Sequence, residues 1–199
     1  MLPFWDEVSR RFYRQLRAPR GAKMLDLGAG RGTLVRLARA DGVDAHGVEP
    51  FWPEPIDPHI VRGFAENLPF EDASFDLVTC FSVLESVEDP AQVLREAARV
   101  VREDGRLVFA VPELESYPRL NRERYTHVTG SRWFRSWLAH VPQLTVRRAT
   151  GFGIRFLVPI AKRTIVRAAP RVAPRALAAV YARRFPRSVC DLTIWTLSR

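Results

Sequence analysis

Cysteine, lysine and long apolar runs are nearly missing from this chain of 199 residues. Its two cysteines, Cys80 and Cys190, lie in apolar stretches typical of strands, which excludes a disulfide-stapled scaffold and favours buried thiols in a reducing cytoplasm. No apolar run approaches the roughly 20 residues that span a bilayer. The first residues do not lead from a basic segment into an apolar one, so no signal peptide is expected and a cytoplasmic location is predicted.

Acidic residues are scarce after residue 118. Residues 119–199 carry 17 basic and 2 acidic side chains, a net charge of +15, whereas residues 1–118 carry 14 basic and 20 acidic ones, a net charge of −6. Only Lys23 and Lys162 are lysines, and the arginine guanidinium binds phosphates and carboxylates through paired hydrogen bonds. A GC-rich genome would explain the choice of arginine but not its uneven distribution. The asymmetry therefore favours an anionic partner for the second part.

Apolar residues make up 47% and charged residues 27% of the chain, as in an ordinary single domain. Strands that are apolar on both faces alternate with helices, which predicts an α/β fold with a parallel sheet covered on both sides. Four prolines between residues 50 and 58 predict a loop instead of a crossover helix. The predicted strands cover 22–28, 43–50, 59–63, 75–81, 106–113, 143–149 and 188–198. The predicted helices cover 1–17, 32–42, 90–105 and 130–141.

Three glycines within five positions follow the first predicted strand. In "MLDLGAGRGTL" they are Gly28, Gly30 and Gly32, and Asp26 precedes them. A glycine turn between a strand and a helix leaves backbone N–H groups free to bind the polar end of a ligand. The spacing differs from the G-x-G-x-x-G of dinucleotide sites. The neighbouring acid would repel a pyrophosphate and suits an ammonium or sulfonium ligand; a tight turn without a ligand is the alternative.

The stretch "LDLGAGRGTL" resembles the first motif of the class I S-adenosylmethionine-dependent methyltransferases. The resemblance continues through "HGVEP", "GFAENLPFEDASFDLV" and "FSVLESVEDPAQVLREAARVVREDGRLVFAVPE", over residues 20–113, and is strongest to the small-molecule, type 11-like branch. It implies a Rossmann-like sheet, mostly parallel, of seven strands with the last one antiparallel. One methyltransferase domain, 1–199, is expected, with an N-terminal helix (1–19), a cofactor-binding core (20–113) and a substrate-side part (114–199) that contains a basic insertion (151–187).

The resemblance implies S-adenosylmethionine as the cofactor and assigns roles along these motifs. Asp26 and the glycine loop would hold the methionine end, and Glu49 would accept hydrogen bonds from both ribose hydroxyls. Two carboxylate oxygens also match a cis-diol on chemical grounds. Phe51 or Trp52 would cover the adenine, and Phe81 would lie beside the reacting methyl group. The cofactor-binding residues that the resemblance implies are Asp26, Gly28, Ala29, Gly30, Gly32, Glu49, Pro50, Phe51, Ala65, Glu66 and Phe81.

Two positions depart from the family pattern. Phe64 stands before Ala65, where the family usually carries an acid that accepts from the adenine amino group. Ser86 stands where the family often carries a histidine. The first departure removes one specificity contact, and the second removes a candidate base.

The stretch "RYTHVTGSRWF", residues 124–134, supplies the catalytic candidates. Histidine ordinarily titrates near neutral pH, so His127 is a candidate base for a hydroxyl acceptor, and Tyr125 is the second candidate. A histidine that only orients a loop is the alternative for His127. Tyr117 and Glu115 are weaker candidates.

Other chemistry-bearing residues have simpler explanations. Trp133, Phe134 and Trp137 are predicted to belong to the core more than to a substrate-stacking platform. Cys80 is predicted to be a buried thiol and not a nucleophile, because no basic residue or histidine surrounds it in the sequence. No set of residues predicts a metal site.

The leading hypothesis is a methyltransferase that acts at oxygen on a small-molecule or lipid-like acceptor. A nucleic-acid methyltransferase would use the basic part, but "CFSVLES" lacks the [DNS]-P-P-[YF] motif of base-amine methylases. A non-catalytic domain that only binds the cofactor is a third alternative. The arginine-rich residues 151–187 could form a lid, contact an anionic membrane surface peripherally or form a solvated helix.

Overall fold

The computed structural model describes residues 2–51, 57–113, 127, 130–152, 184–185 and 192–199. The helices are α1 (Leu2–Leu16), α2 (Thr33–Ala40), α3 (Pro90–Val100) and α4 (Ser131–Leu138). The strands are β1 (Lys23–Leu27), β2 (Asp44–Val48), β3 (Ile60–Val61), β4 (Phe75–Phe81), β5 (Val101–Pro112), β6 (Thr145–Phe152), β7 (Arg184–Phe185) and β8 (Leu192–Ser198).

The strands form one sheet in the order β3-β2-β1-β4-β5-β8-β6-β7. The neighbours from β3 to β5 pair in parallel. The last strand, β8, runs antiparallel to both of its neighbours, β5 and β6. The predicted Rossmann-like sheet with an antiparallel last strand is therefore confirmed, and the carboxyl ends of β1, β2, β4 and β5 meet at one edge.

Helices cover both faces of the sheet because side chains alternate along each strand. Leu77 of β4 points to the face covered by α1 and α2 and belongs to one buried cluster with Phe12. Its neighbour Val78 points to the other face and belongs to a second cluster with Leu94 of α3 and Phe134 of α4. The two clusters fix the sheet, whose carboxyl edge carries the candidate site.

Strand β5 begins earlier than the sequence pattern predicts. The predicted helix over 90–105 ends at Val100, and Val101 already pairs with Phe75 of β4. The register then shifts before Arg106 pairs with Leu77. Pairing with β4 overrides the helical pattern here and produces an irregular strand.

The predicted insertion over 151–187 needs a correction at both ends. Strand β6 extends through residues 151 and 152, and the two-residue β7 pairs with it antiparallel at the sheet edge. The seven predicted strands are present, and β7 makes an eighth. The rest of the insertion, and Cys190 in the last predicted strand, lie outside the described residues.

Candidate functional site

The glycine loop between β1 and α2 adopts left-handed backbone angles at all three glycines. Their φ angles are +66° at Gly28, +52° at Gly30 and +73° at Gly32, a region that side chains strongly disfavour. A Cβ at Gly28 would lie 2.3 Å from Val83 Cγ2, and a Cβ at Gly32 2.6 Å from Ile60 Cδ1. A Cβ at Gly30 would meet no atom within 4 Å. Gly28 and Gly32 therefore leave room for side chains of the protein itself. Gly30 instead exposes its backbone at the carboxyl edge of the sheet.

Asp26 lies under this loop and is buried, with 3% of its surface exposed. Thr79 of the neighbouring strand β4 donates a hydrogen bond to Asp26 Oδ1 at 2.7 Å. Burial raises the pKa of Asp26 to about 7; the Thr79 hydrogen bond lowers this pKa, and the negative charge of Glu49 raises it. Sequence reasoning missed Thr79, although its β4 register position opposite Asp26 could have indicated it.

Glu49 follows β2 and lies on the glycine loop, as predicted. Its Oε2 accepts a hydrogen bond from the Gly30 backbone N–H at 3.0 Å, and its Oε1 accepts from the Phe51 N–H at 3.1 Å. The Glu49 N–H donates to the Val61 carbonyl of β3 at 3.1 Å, which anchors the strand end. The structure thus brings Glu49 and Asp26 together, and their mutual repulsion favours a cationic ligand.

These residues fit the positively charged nucleoside that the sequence implies. The open backbone at Gly30 offers the close approach that a side chain would block, and the two acids supply negative charge for a sulfonium and an ammonium group. Ala29 is buried in the cluster that contains Phe12, and its N–H donates to the Val48 carbonyl at 3.0 Å, so its side chain and its backbone both hold the loop in place.

The predicted adenine side lies where β2 and β3 end. Ala65 is buried, and Pro50 is half-buried. Glu66 also has a structural contact. Its Oε1 accepts a hydrogen bond from the Glu88 N–H at 3.0 Å, which connects the loop after β3 to the loop after β4. Trp52 lies outside the described residues. Phe51 and Phe64 are exposed and contact each other.

The loop after β4 closes over the glycine loop. Phe81 is half-buried and packs against Phe12 of α1, with ring centroids 4.8 Å apart. Ser82 has a φ of +55°, and its N–H donates to the Ala110 carbonyl at 3.0 Å. This left-handed residue turns the chain so that Val83 reaches Gly28. Val83 was not predicted as a site residue.

Two buried titratable groups lie near this loop. The pKa of the Cys80 thiol is raised by burial and by the negative charges of Glu85 and Asp26, so the thiol stays protonated and the buried-thiol interpretation is confirmed. Glu85 is 2% exposed, and burial raises its pKa to about 7. Its Oε2 has no hydrogen-bond partner among the residues that the structure describes. Sequence reasoning missed Glu85, because an acid is rarely buried.

His127 contacts the loop after β4. Its backbone N–H donates to the Glu85 carbonyl at 3.1 Å, and its Nε2 lies 3.1 Å from the Glu88 carbonyl oxygen. Because a carbonyl oxygen can only accept a hydrogen bond, this contact assigns the ring proton to Nε2. Nδ1 is then the ring nitrogen that can accept a proton. The His127 ring meets Trp137 edge-on at 5.9 Å. The role of His127 as a base stays a prediction.

The core prediction holds for Phe134 and Trp137 and is wrong for Trp133, whose position on α4 faces away from the buried clusters. Phe134 is fully buried, Trp137 is half-buried against the core, and Trp133 is 47% exposed. Tyr125, Tyr117 and Glu115 lie outside the described residues. Within the described ranges, no group of three or more His, Cys, Asp or Glu side chains could hold a metal ion. No helix in these ranges is long and apolar enough to cross a membrane.

Comparison with known proteins shows the family to which this chain belongs. The family model described as "Methyltransferase domain" matches residues 4–150. A demethylmenaquinone methyltransferase of Thermotoga maritima is 34% identical over 128 residues, which cover 60% of this chain and 54% of that protein. A ubiquinone biosynthesis O-methyltransferase of Photobacterium profundum is 28% identical over 103 residues, covering 45% and 43%. The chain thus spans about half the length of the curated relatives it matches.

A solved structure shares the fold. A phosphoethanolamine N-methyltransferase of Haemonchus contortus, in complex with phosphomonomethylethanolamine and S-adenosylhomocysteine, superposes with a TM-score of 0.66. The alignment covers 98% of this chain and 52% of that one at 15% sequence identity. At this identity the likeness shows the architecture alone.

Proposed function

Because this chain belongs to the methyltransferase domain family, we propose that it transfers a methyl group from S-adenosylmethionine to an oxygen atom of a small-molecule or lipid-like acceptor. The observation that carries the proposal is the Glu49 carboxylate on the Gly30 N–H, beside the buried Asp26. An acid at the end of the second strand, an open glycine backbone and a second acid form a site for a cationic nucleoside with a diol.

The chain's own residues divide the work of binding and proton transfer. When bound, S-adenosylmethionine supplies a methyl group on a positively charged sulfur, which leaves as a neutral thioether. Asp26 and Glu49 supply negative charge, and Glu49 can accept from two hydroxyls. Aligning an acceptor in a water-poor crevice contributes most of the rate in such a displacement. An attacking hydroxyl must lose its proton, and His127 is the candidate acceptor through Nδ1.

A lipid-like body of the acceptor is supported by the names of two relatives and by the charge of residues 119–199, and an oxygen acceptor by the name of one of those relatives. The Thermotoga and Photobacterium relatives are named for demethylmenaquinone and for ubiquinone biosynthesis, and the second is an O-methyltransferase. Residues 119–199 carry a net charge of +15, which suits an acceptor held at an anionic surface.

Cofactor binding is tested by titrating S-adenosylhomocysteine into the protein and into Glu49→Ala in a calorimeter. The loss of a carboxylate that accepts from both ribose hydroxyls should weaken binding about 10- to 100-fold. Glu103→Ala, which removes an exposed acid of β5, is the matched control and should bind as the unaltered chain does. Equal affinity in Glu49→Ala and the control would contradict the assignment of Glu49.

The acceptor class is tested with methyl-labelled cofactor and either a polyprenylated catechol or total RNA. We expect label on the catechol, increased by vesicles containing anionic lipid and decreased by salt, because arginines near an anionic surface contribute about 1 kcal/mol each. Label on RNA, with salt-dependent RNA retention, would favour the nucleic-acid alternative. Cofactor binding with no labelled acceptor in a cell extract would favour a non-catalytic domain.

A further inference from the structure

Glu88, in the loop after β4, makes two backbone hydrogen bonds that connect the cofactor side of the site to the candidate base. Its N–H donates to Glu66 Oε1 at 3.0 Å. Its carbonyl oxygen lies 3.1 Å from His127 Nε2. The Glu88 side chain is exposed and takes part in neither contact. A single residue of main chain therefore lies between the Glu66 carboxylate and the imidazole ring of His127.

Glu66 has its own anchor on α3. Gln92 donates through Nε2 to the Glu66 carbonyl oxygen at 3.2 Å, and the Gln92 N–H donates to Oδ1 of Asp89, the N-cap of α3, at 3.0 Å. Two residues after Glu66, the Leu68 N–H donates to Glu96 Oε2 at 2.8 Å. The first turns of α3 thus fix the backbone that carries the Glu66 carboxylate, and a fixed carboxylate orients the donor that it binds.

The His127 ring depends on Glu88 for its hydrogen bond. The His127 backbone N–H donates to the Glu85 carbonyl at 3.1 Å, which fixes the main chain but not the side-chain torsions. Trp137 contacts the ring edge-on, with 5.9 Å between the centroids. Among the residues that the structure describes, only the Glu88 carbonyl accepts a hydrogen bond from the ring. This bond selects Nε2 as the protonated nitrogen and leaves Nδ1 able to accept a proton.

We infer, resting on the proposed function, that Glu66 is a positioning residue for His127: it orients Glu88, whose carbonyl holds the ring with Nδ1 free for the proton of the methyl acceptor. A carboxylate binds an N–H more strongly than a neutral oxygen does, so Glu66 restricts the backbone conformation of Glu88 and with it the direction of the Glu88 carbonyl. Glu66 Oε2 makes no hydrogen bond to the described residues, so the same side chain can still contact the cofactor.

The test observes the His127 ring by NMR in protein that contains isotope-labelled histidine. The chain has four histidines, and His127→Gln identifies the signal of His127. A hydrogen bond slows the exchange of the Nε2 proton with water. In Glu66→Ala this proton should exchange about tenfold faster, because the Glu88 carbonyl no longer keeps one direction. Glu66→Gln keeps an oxygen that accepts from the Glu88 N–H and should stay within about threefold of the unaltered chain.

Two matched controls separate positioning from the loss of a charge. Glu88→Ala keeps the backbone N–H and carbonyl and removes only an exposed carboxylate, so the exchange of the His127 ring proton should not change. Glu71→Ala removes another exposed acid from the loop that carries Glu66 and should have no effect either. The His127 backbone N–H, bonded to Glu85, should exchange at the same rate in every variant, which shows that residue 127 keeps its place.

Turnover provides a second measurement. With the polyprenylated catechol as acceptor and saturating S-adenosylmethionine, Glu66→Ala should lower kcat about tenfold, and Glu66→Gln should restore kcat to within about threefold. Saturation removes any loss of cofactor affinity from kcat, so the change reports the acceptor side of the site. Glu71→Ala should turn over as the unaltered chain does.

The exchange measurement needs neither cofactor nor acceptor, so its outcome is separate from that of the proposed function. Equal exchange of the ring proton in Glu66→Ala and in the unaltered chain would overturn the inference and leave the proposed function standing. Faster exchange in Glu88→Ala would also overturn it, because the Glu88 side chain would then carry the effect. Failure of S-adenosylhomocysteine to bind would overturn the proposed function, and the role of His127 with it.

Discussion

The two parts of the chain on either side of residue 118 differ in net charge and in the positions assigned to the cofactor. Residues 1–118 carry a net charge of −6, contain every residue assigned to the cofactor and bury the carboxyls of Asp26 and Glu85. Residues 119–199 carry a net charge of +15 and contribute α4, β6, β7 and β8. The family model ends at residue 150, inside the basic part.

The boundary in charge is not a boundary in the core. Strand β8 of the basic part pairs with β5 along seven residues, and Trp195 on β8 is fully buried. The ring centroids of Trp195 and Phe134 lie 4.9 Å apart. The Arg135 guanidinium carbon lies over the Trp195 ring, 4.9 Å from its centroid. Glu113 at the end of β5 accepts from the Ser131 N–H at the start of α4. The two parts therefore share one core and differ in the net charge of their sequences.

The largest expected effect tests this shared core. Trp195→Ala should lower the free energy of unfolding by about 3–5 kcal/mol, because a fully buried indole leaves a cavity that the sheet cannot fill. Urea unfolding measures the change, and Trp133→Ala, at an exposed position, is the control with an expected loss below about 1 kcal/mol. A second, separate transition in the unaltered chain would show that the parts fold independently.

The second effect concerns the buried acid of the acidic part. Glu85 has a pKa of about 7 in the folded chain, above the ordinary value of about 4.3. Between these two values the folded state binds more protons than the unfolded state, so the free energy of unfolding falls as the pH rises. In Glu85→Gln the free energy of unfolding should no longer fall as the pH rises. Between pH 4 and pH 8 it should therefore increase by roughly 3 kcal/mol relative to that of the unaltered chain.

Urea unfolding across this pH range measures the effect of Glu85→Gln. Glu103→Gln, at an exposed position, should follow the unaltered chain at every pH. Parallel pH dependence in Glu85→Gln and the unaltered chain would contradict the assignment of a raised pKa to Glu85.

The smallest expected effect concerns cofactor affinity. The pKa of Asp26 is about 7, and a cationic ligand favours its ionised form, so S-adenosylmethionine should bind about tenfold more weakly at pH 6 than at pH 8. The comparison is made by calorimetry against Asp26→Asn, which should bind more weakly at pH 8 and lack this dependence. The same pH dependence in both proteins would assign the effect to another group.

Much of the site at the carboxyl edge of the sheet could be predicted, because the residues that indicate it lie close together in the sequence. Gly28, Gly30 and Gly32 require left-handed angles that only glycine adopts easily, and an acid at the end of a parallel strand must lie at the same edge as the loop after its neighbour. These signals predict Glu49 beside the glycine loop, where its Oε2 accepts from the Gly30 N–H.

The features that sequence reasoning missed depend on contacts between distant segments. Val101 reads as helix, and only pairing with Phe75 makes it a strand. The sequence around Glu85 is typical of an exposed acid, and it is the packing of the loop after β4 that buries this side chain. Contact between Phe51 and Phe64 requires that β2 and β3 end side by side, which the proline-rich link between them does not reveal.

The central place of β8 has a consequence for synthesis. Until residues 192–198 emerge from the ribosome, β5 keeps an unpaired edge, and an unpaired strand edge invites pairing with other chains. The nascent protein therefore exposes an unpaired strand edge while residues 113–191 are being added, and chaperones that bind such segments should act on it before β8 is complete.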